Sequence, residues 1–180
     1  QKIVANADQL NGCEIGAVVY FLSQLHFYHH NLFQTLLLST DQAINEWDDS
    51  SIMYVMLGAC GVGAGKFESF SPWIEESLVR IDRDETDLGK KSAFCWAIAV
   101  VLSDGWRVGE QSRFGVARDK NLVVRIVDVF KRLCTKLSKS SVESIDLVKV
   151  YTLWVVLEAL EAEEMKSCMV SSKIVRKAKQ

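Results

Sequence analysis

The chain has 180 residues, of which 49% are hydrophobic and 24% are charged, with a single proline and a net charge of −2. This length and apolar share suit one folded domain with a substantial core, and they argue against disorder over most of the chain. The charge is uneven: residues 1–104 carry 6 basic and 14 acidic side chains, whereas residues 105–140 carry 9 basic and 3 acidic ones. The two parts therefore need not meet the same partner.

Helical periodicity predicts three helices in the first third of the chain. Apolar residues recur at steps of three and four over residues 15–25 and again over residues 32–47, which places them along one face of a helix each time. Residues 48–51 (DDSS) form an N-cap cluster for the third helix. The glycines of residues 61–65 end it, because glycine readily takes the left-handed conformation found just past a helix.

Two further helices are predicted in the middle of the chain. Ser71 and Pro72 predict the N-cap and first position of a fourth helix that runs through Leu78. Asp87 is predicted to cap the fifth, with Ala93, Trp96, Ala97 and Val100 on its apolar stripe. Residues 104–117 hold three glycines and show no period, which predicts a long loop.

The last part of the chain predicts two more helices, and no stretch shows the alternation typical of strands, so the predicted fold class is all-α. The sixth helix starts near Asp119, and its apolar stripe is Leu122, Ile126, Val129, Leu133 and Leu137. Ser140, Ser141 and Glu143 predict a cap before the last helix, which carries Val148, Tyr151, Val155 and Ala159. We expect one domain over residues 1–165 and a basic, polar tail over residues 166–180.

The ends of three predicted helices look alike. FLSQLHF (residues 21–27), MLGACGV (residues 56–62) and AIAVVLS (residues 97–103) are 35 and 41 residues apart. A period in this range is typical of paired helical hairpins stacked as a short α-solenoid. The alternative is an irregular helical bundle, since buried helices of similar length can imitate a repeat.

The first hairpin also resembles a known family. Leu25-His26-Phe27 followed by Leu32-Phe33 is similar to the hairpins of organellar helical-repeat proteins related to the Fas-activated serine/threonine kinase family, a group that includes RAP-domain and octotricopeptide-repeat proteins. The resemblance covers residues 1–100, and no RAP domain is visible. It implies a mitochondrial location, in the matrix, and a role with RNA.

The stretch LHFYHHNLF holds all three histidines, His26, His29 and His30. Spacings of three and four residues on one helix could aim them at a metal ion. That would need one continuous helix and a fourth ligand from elsewhere. We therefore expect His26 to end the first helix and His29 and His30 to cap carbonyl groups or to favour the negative end of the helix dipole, and we predict no metal and no cofactor.

The remaining motifs do not predict an enzyme. GVGAGKF lacks the phosphate-loop pattern, because Cys60 stands where its first glycine belongs and Phe67 where its hydroxyl residue belongs. The acidic clusters at residues 75–76, 82–87 and 158–164 are interpreted as solvated surface. The five cysteines are scattered without a CxxC pair, which predicts neither a disulfide framework nor a zinc knuckle.

Two features concern the limits of the chain. The longest apolar run, residues 93–102, is about half of the roughly 20 residues that a membrane-spanning helix needs, so no membrane insertion is predicted. Because the chain starts at Gln1 rather than methionine, we expect that an N-terminal piece precedes it.

The basic segment supplies the candidate site. Arg125, Arg132 and Lys136 are seven and four residues apart, which predicts that they share a face of the sixth helix opposite its apolar stripe. With Trp106 and Phe114 nearby, this segment is suited to contact RNA phosphates and stack a base, although a solvated helix face is the alternative. The predicted RNA-binding residues are Arg107, Arg113, Arg118, Lys120, Arg125, Lys131, Arg132 and Lys136.

Two hypotheses follow. The first is a non-catalytic helical-repeat component of an organellar ribonucleoprotein, such as a mitochondrial ribosome or RNA-processing subunit, which contacts RNA and neighbouring protein subunits. The second is a protein–protein scaffold subunit of a larger complex that binds no RNA.

Overall fold

The computed structural model describes residues 9–27, 29–40, 44–61, 70–107, 120–137 and 144–159. Within these ranges the chain is all-α, with seven α-helices and no strand, which confirms the predicted fold class. The helices are α1 (Gly12–Gln24), α2 (His30–Thr40), α3 (Asp49–Gly61), α4 (Phe70–Asp82), α5 (Leu88–Arg107), α6 (Lys120–Leu137) and α7 (Ser144–Ala159), with a 3-10 turn (Ile44–Glu46) between α2 and α3. The predicted tail, residues 166–180, lies outside the described residues.

Side-chain caps fix the starts of three helices. Asp48 accepts hydrogen bonds from the backbone N–H (3.0 Å) and the hydroxyl (2.6 Å) of Ser51, and Asp87 accepts one from the N–H of Lys90 (2.9 Å). Both caps confirm the sequence prediction. α1 begins with a reciprocal pair in which Asn11 and Glu14 each accept from the other's backbone N–H, which satisfies two donors at the helix start.

Several predicted boundaries were wrong. The second helix ends at Thr40 and a separate 3-10 turn precedes Trp47, so no single helix runs to that residue. α5 continues through Arg107, so the predicted loop begins too early; one glycine inside a helix costs only about 1 kcal/mol, which the packing of this helix outweighs. α4 begins at Phe70, and Pro72 lies in its first turn, where no backbone donor is lost.

The buried faces were predicted well for α6 and poorly for α5 and α7. All five stripe residues of α6 are buried. In α5, Trp96 is 42% exposed, and in α7 Val148 and Val155 are 49% and 41% exposed. Both helices are apolar almost all round, so periodicity cannot select the face that packs. The residues that are buried instead include Phe94 and Ile98 in α5 and Leu147, Val150, Leu153 and Leu157 in α7.

The odd helices (α1, α3, α5 and α7) pack side by side in chain order, with α1 on α3, α3 on α5 and α5 on α7. α1 and α3 run parallel, because Gly16 meets Ser51 near their starts and Ser23 meets Gly61 near their ends. The starts of α3 and α5 are joined by an ion pair of 3.2 Å between Lys90 and Asp49. Among the even helices (α2, α4 and α6), α4 packs along α6.

Two glycines allow α1 and α3 to approach until their backbones touch. A Cβ atom on Gly58 would lie 2.9 Å from the backbone N and Cα of Tyr20, and one on Gly16 would lie 2.9 Å from the carbonyl oxygen of Ser51. The rings of Tyr20 and Tyr54 stack with centroids 4.8 Å apart beside this crossing.

The buried side chains form one continuous core from α1 to α7. Its largest fully buried members are Phe33 in α2, Trp73 in α4, Phe94 in α5 and Phe130 in α6. Of the helices in the described ranges, none has the length and apolar character needed to cross a bilayer.

Candidate functional site

The cations predicted to lie opposite the apolar stripe of α6 lie beside that stripe instead, where α6 packs along α4. Arg125, Arg132 and Lys136 lie on one side of the helix, and their side chains are each about half exposed (50%, 52% and 51%). The apolar stripe of α6 is buried in the core, so this row occupies the boundary between core and solvent. The three cations are therefore brought together in space.

Each of the three cations is paired with a carboxylate from α4 or the turn after it. Arg125 Nη1 lies 2.6 Å from Glu75 Oε1, and Lys136 Nζ lies 2.7 Å from Asp84 Oδ1. Arg132 donates two hydrogen bonds to Asp82, of 3.0 and 3.1 Å. The forked geometry makes the last pair the most specific of the three.

Two of the pairs shift the pKa values of their carboxyl groups. Hydrogen bonds from Arg132 hold the pKa of Asp82 below its ordinary value, and Lys136 does the same for Asp84. The hydrogen bond to Asp82 in turn raises the pKa of Arg132. All three groups stay ionised at neutral pH, and the positive row of α6 faces an equal row of negative charges.

Among the other predicted RNA-binding residues, the structure describes the side chain of Lys131. Arg107 is the last residue of α5 and Lys120 the first of α6, and their side chains are outside what the structure describes. Arg113 and Arg118 lie outside the described residues altogether. Lys131 is partly buried on α6. RNA contact by these residues stays a prediction.

The histidine stretch serves helix ends. His26 has φ of 52°, and the N–H groups of His26 and Phe27 donate to the carbonyl groups of Ser23 (2.9 Å) and Leu22 (3.0 Å). These two bonds form a Schellman motif that closes α1. His29 Nδ1 accepts a hydrogen bond of 3.3 Å from the N–H of Leu32. It therefore caps the start of α2, whereas the sequence analysis expected it at a helix end with exposed carbonyl groups.

No metal cluster is formed by the residues that the structure describes: no group of three or more His, Cys, Asp or Glu side chains there is placed to hold an ion. Cys60, Cys95 and Cys134 are buried and Cys13 is exposed. Burial raises the pKa of the Cys95 thiol far above its ordinary value, with a further rise from Cys134 nearby. Cys95 is therefore a neutral core side chain at physiological pH.

One acidic cluster is not the solvated surface that the sequence predicted. The side chain of Glu76 is only 11% exposed, and it accepts a hydrogen bond of 2.8 Å from the buried Arg80. Lys91 is also buried, and its ammonium group donates to the backbone carbonyl of Arg83. Its pKa is lowered by burial first and by Lys136 second. These charges hold helices together at the edge of the core.

The odd helices carry a surface that was not predicted from the sequence. This surface has no charged side chains, and the sequence-based prediction of sites rested on charged residues. Residues 15–24, 50–61, 92–103 and 150–157 contain no Asp, Glu, Lys or Arg. Near the ends of α1, α3 and α5, a groove of about 450 Å³ opens on this side. It is lined by Tyr20, Gln24, Leu57, Cys60, Trp96 and Val100.

The molecule therefore has two sides of different chemistry. The α4–α6 side carries paired charges, whereas the uncharged segments of the odd helices carry aromatic and aliphatic groups. An uncharged apolar surface suits contact with protein rather than with phosphate groups. The repeated absence of charge from the same part of successive helices is the sequence signal that would have found it.

Comparison with known proteins identifies no relative: no protein-family model, no curated protein and no solved structure matches this chain.

Proposed function

We propose that the chain is a non-catalytic helical-repeat subunit, with its hairpins stacked as a short α-solenoid, in an organellar ribonucleoprotein. The observation that carries the proposal is that each odd helix packs on the next odd helix of the chain. Odd helices pack on odd helices in chain order, and their caps Asn11, Asp48 and Asp87 are 37 and 39 residues apart. Repeat arrays of this kind present extended surfaces on which other macromolecules bind.

The resemblance of the first hairpin to organellar helical-repeat proteins supports the compartment and the class of assembly. On this basis we place the chain in the mitochondrial matrix, as a ribosomal or RNA-processing subunit that contacts RNA and protein neighbours. The two sides of the molecule suit two kinds of contact, with RNA phosphates near the basic segment and with protein on the odd-helix side.

The ion pairs of α6 bear on how RNA would bind. A phosphate group that approaches Arg125, Arg132 or Lys136 has to compete with Glu75, Asp82 or Asp84. The face is thereby close to neutral, and its attraction for a nucleic acid is weaker than the sequence alone suggests. RNA contact then depends more on Arg107, Arg113, Arg118, Lys120 and Lys131.

These same ion pairs favour a second candidate function, a protein–protein scaffold of a larger complex without RNA. In that case the charge rows serve only to fix α4 against α6, and the uncharged side supplies the binding surface. Sedimentation of the tagged protein from native extract, with and without RNase, separates the two. Co-migration with a large particle that collapses after RNase supports the first, and an RNase-resistant complex supports the second.

A sharper test measures RNA binding in vitro with two opposed variants. One neutralises the cations (Arg125→Gln, Arg132→Gln, Lys136→Gln), and its matched control neutralises their partners (Glu75→Gln, Asp82→Asn, Asp84→Asn). If α6 contacts single-stranded RNA, the first variant binds more weakly, with a salt slope smaller by about 2, since each phosphate contact contributes roughly 0.7. The control then binds more tightly than the wild-type protein.

The outcome is read from fluorescence anisotropy over a salt titration. If neither variant differs from the wild-type protein, α6 does not contact RNA. Unfolding curves of both variants check that the helices stay packed.

A further inference from the structure

The odd helices use two fixed sides to contact one another. Positions are counted from the N-cap residue of each helix, which is position 0. In α7 the first residue, Ser144, is therefore position 1. Position 5 of α1 is Gly16, which meets Ser51 at position 3 of α3. Position 5 of α5 is Ser92, whose hydroxyl donates a hydrogen bond of 2.7 Å to Asp146 at position 3 of α7. We call this the forward side, because it receives the next odd helix in the chain.

The opposite, backward side receives the previous odd helix. Position 10 of α3 is Gly58, which touches the backbone of Tyr20 in α1. The corresponding residue of α5 is Ala97, which is fully buried. Position 10 is therefore buried in both helices, and in α3 it lies at the crossing with the preceding odd helix.

α1 has a backward side that is exposed in the described part of the chain. Its position 10 is Phe21, which is 65% exposed, and its position 14 is Leu25, which is 74% exposed. Position 14 of α5, Val101, is only 1% exposed. The two large apolar side chains of α1 thus project from a side that is buried in the other odd helices.

α7 shows the complementary feature, because its forward side is exposed in the described part of the chain. Its positions 5 and 12 are Val148 and Val155, which are 49% and 41% exposed. In α1 those positions are Gly16 and Ser23, and both are buried against α3. The first and last odd helices of the described ranges, α1 and α7, therefore each present exposed apolar residues on one side.

Repeat arrays that stay monomeric close their ends with polar residues. Of the eight large hydrophobic side chains that are exposed in the described part of the chain, five lie on odd helices and a sixth, Leu25, is the C-cap residue of α1; four of these six are on the two open sides of α1 and α7. These sides are not charged surfaces, because residues 15–24 of α1 and 150–157 of α7 contain no Asp, Glu, Lys or Arg. Exposed apolar surface of this kind marks an interface.

We propose that a second copy of this chain covers these sides, with α7 of one copy packed parallel on α1 of the next. The contact continues the interface that α1 makes with α3 and α5 makes with α7. It also matches large side chains (Phe21, Leu25) with smaller, branched ones (Val148, Val155). The interface is heterologous, so it leaves a free α1 and a free α7 at the ends of every oligomer and builds chains of copies.

This inference goes beyond the proposed function and does not depend on RNA. Sedimentation velocity of the purified full chain, over a wide range of concentrations, gives the readout. The wild-type protein is expected to exceed its monomer mass of 20.3 kDa progressively as its concentration rises. Phe21→Glu and Val155→Glu each bury a charge in the interface, and each should weaken association on the order of 100-fold.

Mixing the two variants is the decisive step. Phe21→Glu retains its α7 side and Val155→Glu retains its α1 side, so the mixture should form a dimer and stop there. Val79→Glu is the matched control, because Val79 is 42% exposed but lies on α4; it should associate like the wild-type protein. Should Phe21→Glu fail to fold, Leu25→Glu tests the same side.

Three results would overturn the proposal: a wild-type protein that stays monomeric at all concentrations, a mixture that remains monomeric, or association that Phe21→Glu blocks and Val155→Glu leaves intact. The last result would indicate that two copies pair through α1 alone.

Discussion

Arg80 and Asp49 form an ion pair of 2.7 Å at the edge of the core, with side-chain exposures of 5% and 22%. Arg80 also donates a hydrogen bond of 2.8 Å to Glu76, and Asp49 lies 3.2 Å from the ammonium group of Lys90. Through these contacts the starts of α3 and α5 are tied to the last turn of α4. The pair therefore joins α4 to α3, and through Lys90 to α5.

Replacing Arg80 with methionine should lower the free energy of unfolding by about 3 kcal/mol, because it removes one partner of a buried pair and leaves carboxylates behind. The matched control is Arg83→Met. Arg83 is 47% exposed and lies 3.6 Å from the same Glu76, so its loss should cost less than about 1 kcal/mol. Urea denaturation of both variants gives the comparison, and equal losses would contradict the role assigned to Arg80.

The same pair predicts a pH dependence. Burial raises the pKa of Asp49, but hydrogen bonds from Arg80 and Lys90 lower it more, so the folded-state pKa lies below the ordinary 3.8. A carboxylate with a lowered pKa contributes stability above its unfolded-state pKa and loses it as the pH falls through the folded-state value. Asp49→Asn should therefore be less stable than the wild-type protein at neutral pH, with a difference that shrinks under acid conditions.

Urea midpoints of both proteins, measured from about pH 7 to about pH 2, test this prediction. A difference that stays constant over the whole range would show that Asp49 contributes by its shape and not by its charge.

Local features of this fold could be predicted from the sequence, and choices made by tertiary packing could not. The caps at Asp48 and Asp87 and the stripe of α6 depend on residues close together in the chain, and they were predicted correctly. The ion pair between Arg132 and Asp82 was missed because it joins residues 50 positions apart, and no local pattern indicates which helix α6 will face.

The same argument applies to the candidate surfaces. The basic face of α6 was found because charge is visible in a sequence, but its neutralisation by α4 was not. The open sides of α1 and α7 were missed because both helices are rich in apolar residues on every side. Exposure of Phe21 or Val155 becomes informative only once the buried positions of α3 and α5 are known.

The crossing of α1 and α3 predicts that two neighbouring glycines differ in tolerance. Gly58→Ala places a Cβ atom 2.9 Å from the backbone of Tyr20, which cannot move without displacing α1; we expect a loss of about 2 kcal/mol. Gly61→Ala meets only the side chain of Ser23, at 3.5 Å. It should be neutral, or stabilising by up to about 1 kcal/mol, because alanine restricts the unfolded chain.

Thermal or urea unfolding of the two alanine variants checks this difference. If Gly58→Ala proved as stable as Gly61→Ala, the close approach of the two helices would be wrong.

The end of α1 predicts a substitution that stabilises the protein. His26 holds a left-handed conformation, with φ of 52°, that costs a residue with a side chain roughly 1 kcal/mol and costs glycine nothing. Its imidazole is exposed, so His26→Gly loses little packing. We expect the free energy of unfolding to rise by somewhat less than 1 kcal/mol, since glycine also gains freedom in the unfolded chain.

His26→Ala is the control, because it removes the imidazole and keeps the strained backbone. Urea denaturation should rank the glycine variant above the wild-type protein and the alanine variant at or below it. A glycine variant no more stable than the alanine one would mean that the left-handed backbone at this position carries no strain that glycine relieves. An alanine variant far less stable than the wild-type protein would mean that the imidazole itself holds the turn that the Schellman hydrogen bonds from His26 and Phe27 close.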